Sequence, residues 1–540
     1  MEIAKYLTDL KQIEKILLTC YSSRHGKSAL IQSKLQQVSG EKVTFIVTND
    51  AVAILNSMSF YDNQILVMLI ETIRKHSKEN GDNCKTLFVY VLTILTYLFE
   101  SNNNQEEIQK VISFLRFSNL AFVYEEFLKE WNANCAQFSG QMLKVTSTQD
   151  FMDILPKLSV LNNLNGLNKS LSNISSNIIV NLICRYVENE RTQLAEIPSI
   201  LRQLLDDLDY TLIYSDQNTL SSTRLFENGF LLNYRVLLDN FSRHTIHNAI
   251  FLLVKNESET LETNAVSIQI DSNFQEKILG SFYAEKKNVF SKFFLDSLLS
   301  SKINVILTSS CLSELQKSQL NSMNISLISY IDLSSIRFIC HRVGVQPIEI
   351  ETICSASFGQ QQLIENSLAL ESIENVENDK LTFFKFSKKL NLNFIYFCSP
   401  IKLQFAQFKA HLAKVIKTVL NNFEEINLID PSANQTLRNL FIETSFFEMN
   451  SLKILQNLKN SNINNIESFL FYKNLIKIFE CVNLKMNNSI RLTVNREDSD
   501  FVYEPISLKF SCFIKSLYFI QSLLKIDKIF FIKKKTLSKN

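Results

Sequence analysis

The chain has 540 residues, 46% hydrophobic and 20% charged, with a net charge of +2. This is a globular composition with material for three or four domains of about 150 residues each. The near-neutral balance gives no global basic field, so nucleic acid is not expected as a partner.

Ten cysteines, scattered from Cys20 to Cys512 without a CxxC pair, fit free thiols in a reducing cytosol better than a disulfide framework or a zinc site. The N-terminal MEIAKYLTDLKQIEKIL is charged and amphipathic, unlike a signal peptide. The longest uncharged apolar run, Leu87–Phe99, is shorter than the roughly 20 residues of a spanning helix, so a buried helix and no membrane span are expected. The chain has 9 glycines where average usage of about 7% would give about 38, which leaves few places for phosphate-cradling loops.

In chain order, apolar spacing predicts an amphipathic helix over Lys5–Leu18, a strand at Val43–Val47, and helices at Asp50–Met58, Asn63–Lys75 and Leu87–Glu100. Glu106–Trp131 and much of Gln149–Glu196 read as helical. The pattern changes near Tyr210, with strands expected at Tyr210–Tyr214, Gly229–Leu232, Ala249–Val254 and Ser267–Ile270. A helix at Glu285–Leu299, a strand at Asn304–Thr308, a helix at Leu312–Asn321, a strand at Ile325–Tyr330 and a helix over Ser334–Arg342 ending at Gly344 follow. Such alternation argues for an α/β layer. Asn393–Cys398 reads as a strand, Gln404–Leu420 as a long helix, and the remainder as mostly helical.

Two loop-to-helix junctions carry the functional signal. VTFIVTNDAVAIL (Val43–Leu55) places Asn49 and Asp50 at the first. ENGDNCKTLFVYVL (Glu79–Leu92) places Gly81, Asp82, Asn83, Lys85 and Thr86 at the second. A helix N-terminus with free backbone N–H groups and a nearby carboxylate can hold phosphate and Mg²⁺. Asp82 has a plainer reading as a helix N-cap, worth about 1 kcal/mol. Lys85 meets a phosphate in one reading and is a solvated first-turn lysine in the other. His244 and His247 have a metal-like spacing but no Cys or acidic pair beside them, so a surface turn is expected. Phe290, Phe293, Phe294 and Leu298 form an apolar stripe expected to pack on a sheet, with one exposed edge as the alternative. The tail Lys525–Lys539 is expected to be a strand with a frayed basic end rather than a membrane-surface segment.

These junctions resemble the TNDGATIL and GDGTTS motifs of group II chaperonins. Further stretches resemble the family in the same order: Phe226–Val254 (ENGFLL, then HNAIFLLV), Leu261–Ala265 (LETNA), Asn304–Leu315, Arg342–Ile348 (RVGVQPI) and Tyr503–Ile529 (YEPISLKFSCFIKSLYFIQSLLKIDKI). The resemblance implies an α+β multidomain chaperonin (TCP-1/cpn60-like) fold. Its helical equatorial domain would be residues 1–130 and 421–540, its small intermediate domain 131–208 and 351–420, and its α/β apical domain 209–350. It implies a nucleotide pocket for ATP with Mg²⁺ at Asn49, Asp50, Gly81, Asp82, Asn83, Lys85 and Thr86, with Asp82 as the Mg²⁺ ligand if ATP binds.

The departures from the family pattern shape the functional expectation. The LGPKG loop corresponds to Tyr21–Gly26, the second glycine of GDGTTS is Asn83, and the GGGA loop corresponds to Asp430–Gln435 with every glycine replaced. The hydrolytic Asp falls near His411 in Ala410–Ile416, and no acidic residue lies between Pro400 and Leu420. An imidazole does not replace a carboxylate that activates water. Hydrolysis is therefore not expected, and ATP binding would be weak.

Loss of these motifs on a retained fold resembles the chaperonin-like Bardet–Biedl family. His76–Leu95 resembles its Bardet–Biedl syndrome 10 type, while GVQPI and Cys354–Gly359 resemble its McKusick–Kaufman type. The resemblance implies an assembly factor in the cytoplasm, or at the centrosome or ciliary base. Its expected partners are cytosolic chaperonin subunits, other chaperonin-like Bardet–Biedl proteins and the subunits of the BBSome it would help assemble. The alternative is a diverged ATP-hydrolysing chaperonin subunit that folds cytosolic clients.

Overall fold

A computed structural model describes residues 3–20, 29–37, 40–48, 50–57, 63–100, 105–135, 137–138, 142–158, 161, 169–187, 193–216, 218–232, 236–238, 247–253, 290, 292–349, 360–376, 381–423, 440–443, 446–491 and 503–526. The chain divides into two compact units, Met1–Asp206 with Leu403–Asn540, and Asp207–Lys402. This division is coarser than the five segments expected from the sequence.

The first unit begins with α1 (Ile3–Thr19), which buries Leu7, Leu10, Ile13 and Leu17 as its helical spacing dictates. A hairpin pairs β1 (Ala29–Gln37) antiparallel with β2 (Gly40–Thr48). The sequence predicts only the second strand. ALIQSKLQQ has a single β-branched residue, Ile31, and its strand conformation comes from pairing rather than propensity.

Three helices follow: α2 (Ala51–Ser57), α3 (Gln64–Asn80) and α4 (Cys84–Glu100). The sequence of α4 is apolar around its circumference, and nearly all of it is buried, as a central core helix requires. The helical stretch expected over Glu106–Trp131 is two helices, α5 (Gln105–Phe117) and α6 (Leu120–Asn134). Asn119 leaves helical geometry at ψ 100° and its side chain accepts from the Ala121 N–H, capping a new start. Then come β3 (Met142–Lys144), α7 (Thr148–Ile154) behind a Ser147–Asp150 capping box, α8 (Lys169–Val187) and α9 (Ile197–Thr211). Because α9 runs through Thr211, the strand expected from Tyr210 starts at Leu212.

The second unit is the α/β layer. Its strands are β4 (Leu212–Ser215), β5 (Arg224–Phe226), β6 (Gly229–Leu232), β7 (Val236–Leu238) and β8 (His247–Leu253). After α10 (Lys292–Ser300) come β9 (Val305–Thr308), α11 (Glu314–Ser322), β10 (Ser326–Ile328), α12 (Leu333–Val343), β11 (Ile348–Glu349) and α13 (Gln360–Glu365). The unit ends with β12 (Leu368–Val376), β13 (Leu381–Phe386) and β14 (Phe394–Cys398). The main sheet has the order β6-β13-β12-β8-β9-β10-β7, with β11 beside β8; a smaller sheet runs β4-β14-β5. Within the main sheet β8, β9 and β10 are mutually parallel, linked through helices as a crossover requires. Gly344 stops α12 in the left-handed conformation, φ +78°, as its position predicts. In α10, Phe294 and Leu298, with Phe290 just before it, pack against Ile250, Ile306 and Leu327, whereas Phe293 is 57% exposed.

The first unit resumes with α14 (Lys402–Phe423), β15 (Leu440–Glu443), α15 (Phe446–Ser461), α16 (Ile466–Arg491), β16 (Tyr503–Pro505) and α17 (Ile506–Leu524). A three-stranded sheet of order β16-β15-β3 joins distant parts of the sequence. The core gathers around α4, α6 and α17. Trp131 stacks on Phe447 at 5.2 Å and meets Phe510 edge-on at 5.2 Å, while Phe127 lies 4.9 Å from Phe513. Among the described residues the cysteines are free, and no helix is long and apolar enough to cross a membrane. The LETNA segment, the Ser267–Ile270 strand, His244, Cys354–Gly359 and the tail from residue 527 lie outside the described residues.

Candidate functional site

The two junctions that the sequence singles out meet on α14. Asp50 precedes α2, and its Oδ2 accepts from the Ala53 N–H at 3.0 Å. Its other oxygen, Oδ1, lies 3.2 Å from the Lys414 ammonium. Helix α3 closes at Gly81, φ +80°, whose N–H donates to the Ser77 carbonyl at 2.9 Å. A Cβ at Gly81 would stand 2.7 Å from the Lys414 carbonyl oxygen and 2.8 Å from Thr418 Oγ1. Glycine is therefore required twice, by conformation and by close approach. Thr418 Oγ1 donates to the Asn80 carbonyl at 3.3 Å, and the Asn421 amide donates to that of Glu79, so α14 clamps the loop.

Asp82 follows, with its Oδ1 3.4 Å from Lys414 Nζ. Asn83, standing where the resembled motif has glycine, keeps a left-handed backbone at φ +65°. Asparagine tolerates that region better than most residues, so the positive φ is met without glycine. Asn83 Oδ1 accepts from the Thr86 hydroxyl at 3.1 Å. The residue immediately before α4 is thus Asn83, with Asp82 one position farther out, and the N-cap reading of Asp82 does not hold.

The electrostatics center on Lys414. It is 16% exposed, with Asp50 at 19% and Asp82 at 15%. Burial pushes both carboxyls up, but Lys414 and backbone N–H donors pull harder, so both lie below the ordinary carboxylate range. Burial pulls the Lys414 ammonium down, yet the two carboxylates outweigh it and hold the lysine more strongly charged than usual. Lys85 is the opposite case. Burial and the neighbouring Lys414 charge lower it to about 8, and its Nζ donates to the Cys20 carbonyl at 2.6 Å. It is neither a solvated lysine nor aimed away from the protein.

His411 is 1% exposed, and burial together with Lys414 lowers it to about 3. Among the described residues neither of its ring nitrogens has a hydrogen-bond partner. His76, fully buried behind the loop, is also lowered to about 3, by burial and by Lys515. The Asn80 amide and the Lys515 ammonium approach its Nδ1 at 3.0 and 3.3 Å, while Nε2 lies 3.1 Å from the Asp82 carbonyl. Two donors at Nδ1 assign a neutral ring that donates from Nε2.

Of the residues expected from the sequence, Asp50, Gly81, Asp82, Asn83, Lys85 and Thr86 are brought together, while Asn49 lies outside the described residues, as do Tyr21–Gly26 and Asp430–Gln435. Lys414 was not among them. Its signal is its place one helical turn after His411, on the face of α14 that the loop covers. Among the described residues no group of three or more His, Cys, Asp or Glu side chains could hold a metal ion. Mg²⁺ needs oxygen ligands at 2.0–2.1 Å in near-octahedral order, and here an ammonium stands between the two carboxylates that would supply them. Among the described residues, those at this site do not fit the ion.

No family model and no curated protein matches this chain. Among solved structures it is similar to the crystal structure of a group III chaperonin in the open state, with 12% identity and a TM-score of 0.55 over 97% of this chain and 98% of that one. Near-complete coverage of both chains at that identity establishes the fold alone: this chain has a chaperonin-like fold.

Proposed function

We propose that the protein is a chaperonin-like binding protein that holds partner subunits without a productive ATP cycle. The observation that carries this reading is Lys414, whose ammonium lies 3.2 Å from Asp50 and 3.4 Å from Asp82, the carboxylates that the resemblance assigns to the nucleotide pocket. A neutral His411 stands where the resembled pattern has a carboxylate, and residues 401–420 contain no Asp or Glu. The partners proposed from the sequence resemblance are cytosolic chaperonin subunits, other chaperonin-like Bardet–Biedl proteins and subunits of the BBSome, met in the cytoplasm or at the ciliary base. One observation favours the alternative of a diverged hydrolysing subunit: Gly81 and Asn83 both take positive φ, at +80° and +65°, in the loop that resembles GDGTTS.

Affinity capture of the tagged full chain from ciliated cells of its source, with and without ATP, separates the two. Recovery of chaperonin and BBSome subunits in both conditions, unchanged by Asp82→Ala, supports the proposal. Recovery that requires ATP and an intact Asp82 overturns it.

A further inference from the structure

Asp50 and Asp82 come from different loops and are joined by a side chain that belongs to neither. Lys414 reaches them from α14, a helix whose backbone is already fixed against the loop by the close approach at Gly81 and the Thr418 hydrogen bond to Asn80. The charges around it balance without a metal. Two carboxylates face two ammonium groups, Lys414 in contact and Lys85 acting over a longer range, and the enclosed His411 ring is neutral. A divalent ion placed between the carboxylates would meet that ammonium at ligand distance and would leave the site with excess positive charge. His411 and the Asn83 Nδ2, both buried and without a hydrogen-bond partner among the described residues, border the same loop and helix.

We infer that Lys414 is a tethered counter-ion that takes the place of a divalent cation at Asp50 and Asp82 and closes this pocket to metal-bound nucleotide. The inference deepens the nucleotide-independent reading and rests on it. The two can fail separately, because partner capture does not report on metal binding and metal binding does not report on partners.

The test titrates Mn²⁺, followed by electron paramagnetic resonance, into the full chain as wild type, Asp82→Asn, Lys414→Met, and Lys414→Met with Asp82→Asn. The wild type should hold no Mn²⁺ more tightly than about 1 mM, the weak end of protein sites for divalent ions. Lys414→Met should gain one site at least about tenfold tighter, which Asp82→Asn removes. Its melting temperature, depressed in EDTA, should rise with added Mg²⁺ while that of the wild type does not. Lys414→Gln gives the same readouts where Lys414→Met does not fold. A wild-type Mn²⁺ site that Asp82→Asn abolishes overturns the inference, and so does a folded Lys414 variant that gains none.

Discussion

Lys509 is 1% exposed between Glu448 and Glu504, at 3.1 and 2.9 Å, and Tyr90 donates to the same Glu448 oxygen at 2.7 Å. Removing the cation leaves two carboxyl groups in the core without their shared ammonium partner. Lys509→Met should therefore cost about 3–5 kcal/mol, read as a lower midpoint in urea unfolding with an unchanged slope. A stability loss below about 1 kcal/mol would show that these charges are already solvated.

The buried histidines set the acid limit. His76, faced by Lys515 and the Asp82 backbone, and His411, faced by Lys414, Asp82 and Asp50, titrate at about 3 when folded and near 6.5 when unfolded. Between those values the unfolded chain binds more protons at these two residues, so their contribution to stability is complete above about pH 6.5 and falls as pH drops. Each histidine should contribute about 1.4 kcal/mol per pH unit in that window. His411→Leu should roughly halve their combined slope between pH 6 and 4. An unchanged slope would mean that the ring is already protonated in the folded chain. At this scale the sequence identified Asp50, Gly81, Asp82 and Asn83, whose order along the chain carries their meaning. It did not identify Lys414, because its role depends on α14 lying across a loop more than three hundred residues earlier.

Helices were more legible than strands. Lys5–Leu18, Gln404–Leu420 and the helix ending at Gly344 show clear apolar spacing or stop signals, and they match α1, α14 and α12 within a few residues. Strands β3, β12, β13, β15 and β16 were not anticipated. β12 and β13 form a local hairpin whose pattern is interrupted by charges such as Glu371 and Glu374, while β3, β15 and β16 are short and pair with strands far away in sequence. The loop between α3 and α4 yields the clearest test at this scale. Gly81→Ala should destabilise the protein by about 2 kcal/mol or more, since the new Cβ meets both a left-handed backbone and the Lys414 carbonyl. Thermal unfolding checks it, and a neutral result would show that α14 moves aside at little cost. In the core, Phe510 touches Trp131, Phe127, Tyr124 and Phe447, so Phe510→Ala should cost about 3–5 kcal/mol in the same measurement.

At the scale of the molecule, the chain has a chaperonin-like fold, and the Asp50–Lys414–Asp82 cluster lies within the compact unit of Met1–Asp206 with Leu403–Asn540. The α/β character of residues 207–402 was legible in the alternation of strands and helices, whereas the order of the main sheet was not, because pairing across insertions leaves no local pattern. On the proposed function, this fold is retained without its nucleotide chemistry. The most direct measurement is phosphate release by the purified full chain in saturating Mg²⁺ and ATP, beside Asp82→Ala. Equal, background-level release is expected from both proteins. Turnover by the wild type that Asp82→Ala abolishes would contradict it.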